Sequence, residues 1–104
     1  MRELSPAELA THLKTNRPAL LDVREPWEFE ICHIEGSRLV PMSRIPLACE
    51  DMDRGQEIVV ICHHGIRSRQ VGLYLESRGF DHIINLSTGI EGWARDVDPA
   101  MPVY

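Results

Sequence analysis

No apolar run in this chain of 104 residues approaches the length needed to span a bilayer, and the opening Met1-Arg2-Glu3-Leu4-Ser5-Pro6 lacks the apolar stretch of a secretory signal. The expectation is a cytoplasmic protein. Basic charge is also in short supply, with 11 Lys and Arg against 16 Asp and Glu and a formal net charge of −5. That balance argues against a general binder of nucleic acid or of anionic membranes, so any anion must be caught by local groups. Cysteine is scarce too. Cys32, Cys49 and Cys62 are odd in number and contain no Cys-x-x-Cys pair, which fits neither a disulfide framework nor a paired-cysteine zinc motif. The adjacent residues Cys62, His63 and His64, like the pair Cys32 and His33, cannot easily converge on one tetrahedral ion, so no metal and no cofactor is expected. Linkers, internal repeats and low-complexity segments are missing as well. Residues 1–104 have the length and apolar content of one compact domain.

What is present alternates between strand and helix signals. Ser5-Pro6-Ala7-Glu8 combines an N-cap serine, a proline at the first helical position and a glutamate at the capping-box position, which predicts a helix through Leu9 and Leu13. Ala19-Leu20-Leu21-Asp22-Val23 reads as a short buried strand whose end carries Asp22 and Arg24. A short helix or turn follows at Glu25 to Glu30. Arg38 to Pro41 reads as a strand, Ile45 to Cys49 as a helical segment, and Asp51 to Gly55 as a polar loop. The apolar run Ile58-Val59-Val60-Ile61 is a buried strand, followed by a helix from Ser68 to Arg78 that Gly79 and Phe80 close. His82 to Leu86 is another strand, Gly89 to Arg95 a short helix, and Pro99 to Tyr104 a tail lying against the body. This order predicts an α/β fold with a mostly parallel sheet, helices on both faces and right-handed crossovers.

Cys62 stands where that strand ends and Cys62-His63-His64-Gly65-Ile66-Arg67-Ser68 begins. A buried parallel strand delivers the sulfur to the carboxyl edge of the sheet, where open α/β folds place their ligands. The glycine allows a tight turn, and the helix start offers unpaired N–H groups and a positive dipole end. Such a cradle favours thiolate over thiol and holds an anion against the sulfur. Cys32 and Cys49 read as small apolar side chains.

Several stretches, in order, resemble the rhodanese family of sulfurtransferases in its single-domain form. Leu4 to Leu9 resembles the family's opening helix. Leu20 to Phe29 with His33-Ile34-Glu35-Gly36-Ser37 resembles its first signature, and Val59 to Cys62 with the following loop its active-site segment. Asn85-Leu86, Gly89 to Trp93 and Pro102-Val103-Tyr104 are similar to its last helix and tail. The resemblance spans nearly the whole chain. It implies a single rhodanese-like domain with about five strands and a persulfide relay, in which Cys62 takes sulfur from thiosulfate or a similar small anionic donor. A thiol, a protein or cyanide then accepts it, and ping-pong kinetics follow.

The resemblance also fixes the alternatives. The same fold serves cell-cycle phosphatases, in which five residues separate cysteine from the phosphate-clamping arginine, whereas four separate Cys62 from Arg67 here. A further alternative is a persulfide carrier or regulatory binding module fed by a protein partner. In the loop, backbone N–H groups from His63 to Ser68 are expected to stabilise the anionic sulfur. Gly65 and Ile66 belong to this substrate-binding segment. Arg67 is either the group that attracts the donor's sulfonate end or an exposed arginine at a helix start. His63 presents a second, partly cationic group or faces solvent; His64 faces the donor or turns inward to the loop backbone. Arg69 sits on the helix surface. Asp22, Arg24 and His33 are expected to be architectural, the first two as a charge-assisted pair and the histidine tying a turn.

Overall fold

The computed structural model describes residues Met1–Tyr104. The order is β1 (Arg2–Leu4), α1 (Pro6–His12), β2 (Ala19–Asp22), α2 (Pro26–Ile31), β3 (Arg38–Leu39), a 3-10 turn (Met42–Arg44), α3 (Ile45–Ala48), a 3-10 turn (Cys49–Asp51), β4 (Ile58–Ile61), α4 (Ile66–Ser77), β5 (Ile83–Leu86) and α5 (Gly89–Asp96). The five strands form one sheet in the order β1-β5-β4-β2-β3. Every pairing is parallel, for example Leu21 with Val60 and Val59 with Ile84. Fold class and helix placement follow the sequence expectation, and β1 is an addition that the sequence reading did not contain.

Local chemistry accounts for the element ends. At α1, Glu8 N–H donates to Ser5 Oγ at 3.2 Å and Ser5 N–H to Glu8 Oε1 at 2.8 Å, the reciprocal pattern that satisfies two orphan donors. At the end of α4, Gly79 N–H reaches Glu76 O and Phe80 N–H reaches Leu75 O, a Schellman motif with Phe80 buried behind it. α4 begins two residues before the expected Ser68, so its first turn starts inside the loop that follows Cys62.

Side-chain alternation along the buried strands builds two cores. Ile58, Val60 and Cys62 face the layer of α3 and α4, with Val71, Leu75 and Phe80. Val59 and Ile61 face the layer of α1 and α5, with Leu9, Ile90 and Trp93. Each fully buried aliphatic side chain contributes about 1.5–3 kcal/mol before conformational entropy is counted. The same parity sends Cys62 and Asn85 toward α4. No helix is long and apolar enough to cross a membrane.

The strand order also locates a crevice. β2 connects outward to β3 while β4 connects the other way to β5, so the chain diverges between the carboxyl ends of β2 and β4. Ligand sites in open parallel sheets form at such a point. The residues immediately beyond β2 and β4 are those around Asp22, Arg24 and Cys62.

Candidate active site

Cys62 is 1 % exposed, at the floor of the loop that joins β4 to α4. Its Sγ accepts a hydrogen bond from Gly65 N–H at 3.1 Å and donates to Ser68 Oγ at 3.3 Å. Ser68 in turn donates to Asn85 Oδ1 at 2.5 Å, and Asn85 Nδ2 donates to Gly65 O and to Glu3 Oε1. Asn85 therefore holds the turn glycine and the serine that touch the sulfur. Both Ser68 and Asn85 are buried, and no buried side-chain polar atom lacks a partner.

Two glycines make the loop possible. Gly65 has φ +94, and a Cβ there would run into the carbonyl oxygen of Ser87. Gly89 has φ +64 and lets α5 start directly against the loop, where a Cβ would strike the carbonyls of Cys62 and His63. Across that contact Ile90 N–H donates to Cys62 O at 2.8 Å and Glu91 N–H to His63 O at 3.1 Å. With those carbonyls turned to α5, the trans peptide planes turn the N–H groups of His63 and His64 away from it.

The Arg67 guanidinium grips Glu28 of α2 bidentately, Nη1 to Oε1 at 2.7 Å and Nη2 to Oε2 at 2.9 Å, a partner that neither sequence alternative for it included. This pair bridges the crevice between the ends of β2 and β4. Its hydrogen bonds hold the Glu28 carboxyl down to about 2 against the opposing effect of burial. The same bonds raise the Arg67 pKa. Tyr104, from the tail, donates to Glu28 Oε2 at 2.8 Å and accepts from Arg24 Nη1 at 2.8 Å.

His63 does not stand in solvent. It stacks on Tyr104 and on His64, with ring centroids 4.0 Å apart in each case. Burial, and then the neighbouring His64, lowers its pKa, so at neutral pH it is an uncharged ring. His64 is exposed with Nδ1 2.9 Å from Glu91 Oε2, so it turns to α5 and not to the loop backbone. Ile66 is 68 % exposed at the rim, and Arg69 lies on the helix surface 3.5 Å from Glu3.

Asp22 and Arg24 form a fully buried pair: Arg24 Nε donates to Oδ1 at 2.9 Å and Nη2 to Oδ2 at 2.7 Å. Burial alone would lower the Arg24 pKa, but hydrogen bonds to Asp22 and Tyr104 outweigh it and raise the pKa. Arg24 also donates to the carbonyls of Glu28, inside α2, and Cys32, at its C-cap, tying the end of β2 to that helix. His33 Nδ1 lies 2.9 Å from Phe29 O and its ring stacks on Phe29, at the end of the same helix. These three residues stand around α2, and none of them hydrogen-bonds to the sulfur, whose partners are Gly65 and Ser68. Cys32 and Cys49 are buried and free, and the structure contains no cluster of three or more His, Cys, Asp or Glu placed to hold a metal ion.

Glu28, Tyr104 and Asn85 were not singled out from the sequence. Asn85 left a signal there, as a polar residue inside the apolar strand Ile83-Ile84-Asn85-Leu86, which is tolerated only with partners. Glu28 left only a local one, as the capping-box partner of Glu25 N–H at the start of α2, and Tyr104 left none, since its partners lie tens of residues away.

Tyr104 supplies a pH test. Burial is the main cause that pushes its hydroxyl from the ordinary 10 up to about 12. A raised value means that the neutral form stabilises the fold; that contribution is complete below about 10 and is lost as pH rises toward 12. Phenolate absorbance during alkaline titration is expected to show a late-ionising tyrosine that Tyr104→Phe removes. Disappearance of the late step in Tyr74→Phe instead would assign it to the wrong ring.

A cysteine set at the carboxyl end of a central parallel strand, in a glycine-turned loop that runs into a helix, defines an open α/β domain with a thiol at its topological switch point. The chain belongs to the rhodanese-like domain family, whose sequence model matches residues 5–96. It is 37% identical over 106 residues to the "Probable adenylyltransferase/sulfurtransferase MoeZ" of Mycobacterium tuberculosis, covering 97% of this chain and 26% of that protein. It is 35% identical over 89 residues to the "Rhodanese-like/PpiC domain-containing protein 12, chloroplastic" of Arabidopsis thaliana, covering 82% of this chain and 30% of that one. The chain thus spans less than a third of the length of these curated relatives. Among solved structures, a rhodanese-related protein of Thermoplasma volcanium superposes with TM-score 0.84 at 30% identity, covering 93% of this chain and 94% of the other. A rhodanese-like domain protein of Staphylococcus aureus gives TM-score 0.82 at 29% identity, with 89% and 91% covered.

Proposed function

We propose that the protein is a sulfurtransferase that carries sulfane sulfur on Cys62, taking it from thiosulfate or a similar donor and passing it to a thiol, a protein or cyanide. The observation that carries this reading is the sulfur's position: Cys62 Sγ at the end of β4, bonded by Gly65 N–H, in a chain of the rhodanese-like family. In the first half-reaction the Cys62 thiolate attacks the outer sulfur of thiosulfate. A new S–S bond forms, the bond between the two thiosulfate sulfurs breaks, and sulfite leaves with the electron pair. In the second, the acceptor attacks the outer sulfur of the persulfide and Cys62 departs as thiolate. The charge to be stabilised is anionic sulfur both times, which suits preorganised backbone donors.

The bidentate pairing of Arg67 with Glu28 also favours sulfur transfer over phosphoryl transfer, because Nη1 and Nη2, the fork that would clamp a phosphate, are engaged by a carboxylate. A cytoplasmic location goes with this reading, since three free thiols persist in a reducing compartment. Intact-protein mass spectrometry after thiosulfate treatment without reductant is the direct test. Wild type is expected to gain about 32 Da, one sulfur atom, and Cys62→Ala nothing, as befits a covalent intermediate. No gain in folded wild type would set thiosulfate aside and move the reading to a carrier fed by a protein partner. An equal gain in Cys62→Ala would refute Cys62 as the carrier.

A further inference from the structure

Asn85 has its carboxamide fixed in one orientation. Nδ2 lies 2.9 Å from Glu3 Oε1 and 3.1 Å from Gly65 O, a carboxylate and a carbonyl that both accept, so the amide nitrogen has to face them. Oδ1 then faces Ser68 Oγ at 2.5 Å, and because this oxygen is an acceptor too, the single hydroxyl proton of Ser68 points at Asn85. What Ser68 shows to Cys62 Sγ, 3.3 Å away, is a lone pair, which suits a thiol that donates. The resting order runs from S–H to O–H to carbonyl, each bond polarising the next. Cys62, Ser68 and Asn85 are each at most 1 % exposed, so the serine hydroxyl has two buried neighbours to choose between.

That order fails once the thiol proton is gone. As thiolate or as persulfide, Cys62 Sγ carries no hydrogen, and the serine lone pair then faces a lone pair of the sulfur. Asn85 Oδ1 and the anionic sulfur group compete for one hydroxyl proton, and a hydrogen bond to an ionised acceptor is roughly twice as strong as one between neutral groups. Resting on the sulfurtransferase reading, we propose that Ser68 is a catalytic residue whose hydroxyl has two positions: it is turned to Asn85 in the resting thiol and to the sulfur once Cys62 is ionised or loaded. Asn85 is the positioning residue that parks it. The turn makes and breaks no covalent bond. The thiol proton has left to a solvent base before the thiolate attacks the donor, and the serine keeps its own proton throughout. Gly65 N–H and the serine hydroxyl then give the sulfur two donors in place of one. Asn85 stays anchored through Nδ2, so the loop keeps its shape while the hydroxyl turns.

Asn16 and Asn85 are the two asparagines of the chain, so asparagine labelled with 13C at Cγ gives two side-chain carbonyl signals. The protein is loaded with thiosulfate, the added sulfur is verified by intact mass, and the spectra before and after are compared. A carbonyl that gives up a hydrogen bond moves upfield. On loading, the Asn85 signal is expected to move upfield while Asn16, exposed beyond α1, stays. In Ser68→Ala the Asn85 signal should already stand upfield before loading and move no further. Single-turnover loading of that variant should slow by about tenfold, the low end for a hydrogen bond to a charged group. An Asn85 signal that stays put in loaded wild type overturns the proposal, and this arm needs no variant to fold. The same upfield move on loading Ser68→Ala would trace it to the added sulfur and not to the hydroxyl, and overturns it as well. A loading rate of Ser68→Ala within about twofold of wild type removes the catalytic role of the hydroxyl. A wild type that gains no sulfur fails at the mass measurement, before any carbonyl signal is read, and takes the thiosulfate reading and this inference down together; sulfur gained without the Asn85 shift removes the inference alone.

Discussion

Asp22→Ala is expected to destabilise the domain by about 3–5 kcal/mol, the usual loss when one partner of a buried ion pair is removed. Both side chains are fully buried, and Asp22 accepts from Arg24 Nε, Nη2 and backbone N–H. Without the carboxylate, the guanidinium keeps its charge and its burial but retains only Tyr104 and two carbonyls as partners. A domain of this size has total stability of about 5–15 kcal/mol, so the loss is a large fraction of it. Thermal melting should drop by roughly 4–8 °C for each kcal/mol. Asp22→Asn, which keeps an acceptor, should lose less. A melting temperature of Asp22→Ala within about 2 °C of wild type, a change worth under about 1 kcal/mol, would contradict the buried-pair argument.

The second large effect belongs to Gly65. Alanine there must adopt a left-handed conformation, at about 1–2 kcal/mol, and its Cβ meets the Ser87 carbonyl besides. The loop has to shift, and with it the N–H that touches Cys62 Sγ. Displacing reacting groups by about 1 Å costs about a hundredfold in rate. Sulfur transfer by Gly65→Ala should fall by that order while far-UV circular dichroism stays native. Activity within about twofold of wild type would mean that the Gly65 contact is not part of the machinery.

The parts of this architecture that the sequence disclosed were those written in local chemistry. Ser5-Pro6-Ala7-Glu8 announces α1 because the cap is made by neighbours, and Gly79-Phe80 announces the end of α4 for the same reason. Ile58 to Ile61 reads as a strand because all four positions are buried. β1 escaped notice since it is three residues long and only Leu4 is buried, leaving no alternation to see. Arg67 illustrates the other limit. Its cationic character and nearness to Cys62 were visible, but which carboxylate it meets depends on the crossing of α2 over the sheet, 39 residues away in sequence. Tyr104 lies 76 residues from Glu28 and 80 from Arg24, contacts that no local pattern encodes. His63 was open between cation and solvent, and the ring that decides the matter comes from the tail.

The way the loop is fastened also says where this site can change. Cys62 and His63 are tied by their carbonyls to α5, Gly65 by its carbonyl and Ser68 by its hydroxyl to Asn85, His64 to Glu91 and Arg67 to Glu28. Ile66, in contrast, projects from the rim with no polar tether to give up. Substitutions at the fastened positions disturb the floor on which the sulfur rests. Ile66 can vary in size and polarity without breaking a hydrogen bond of that floor, so the rim can be reshaped independently of the floor beneath it.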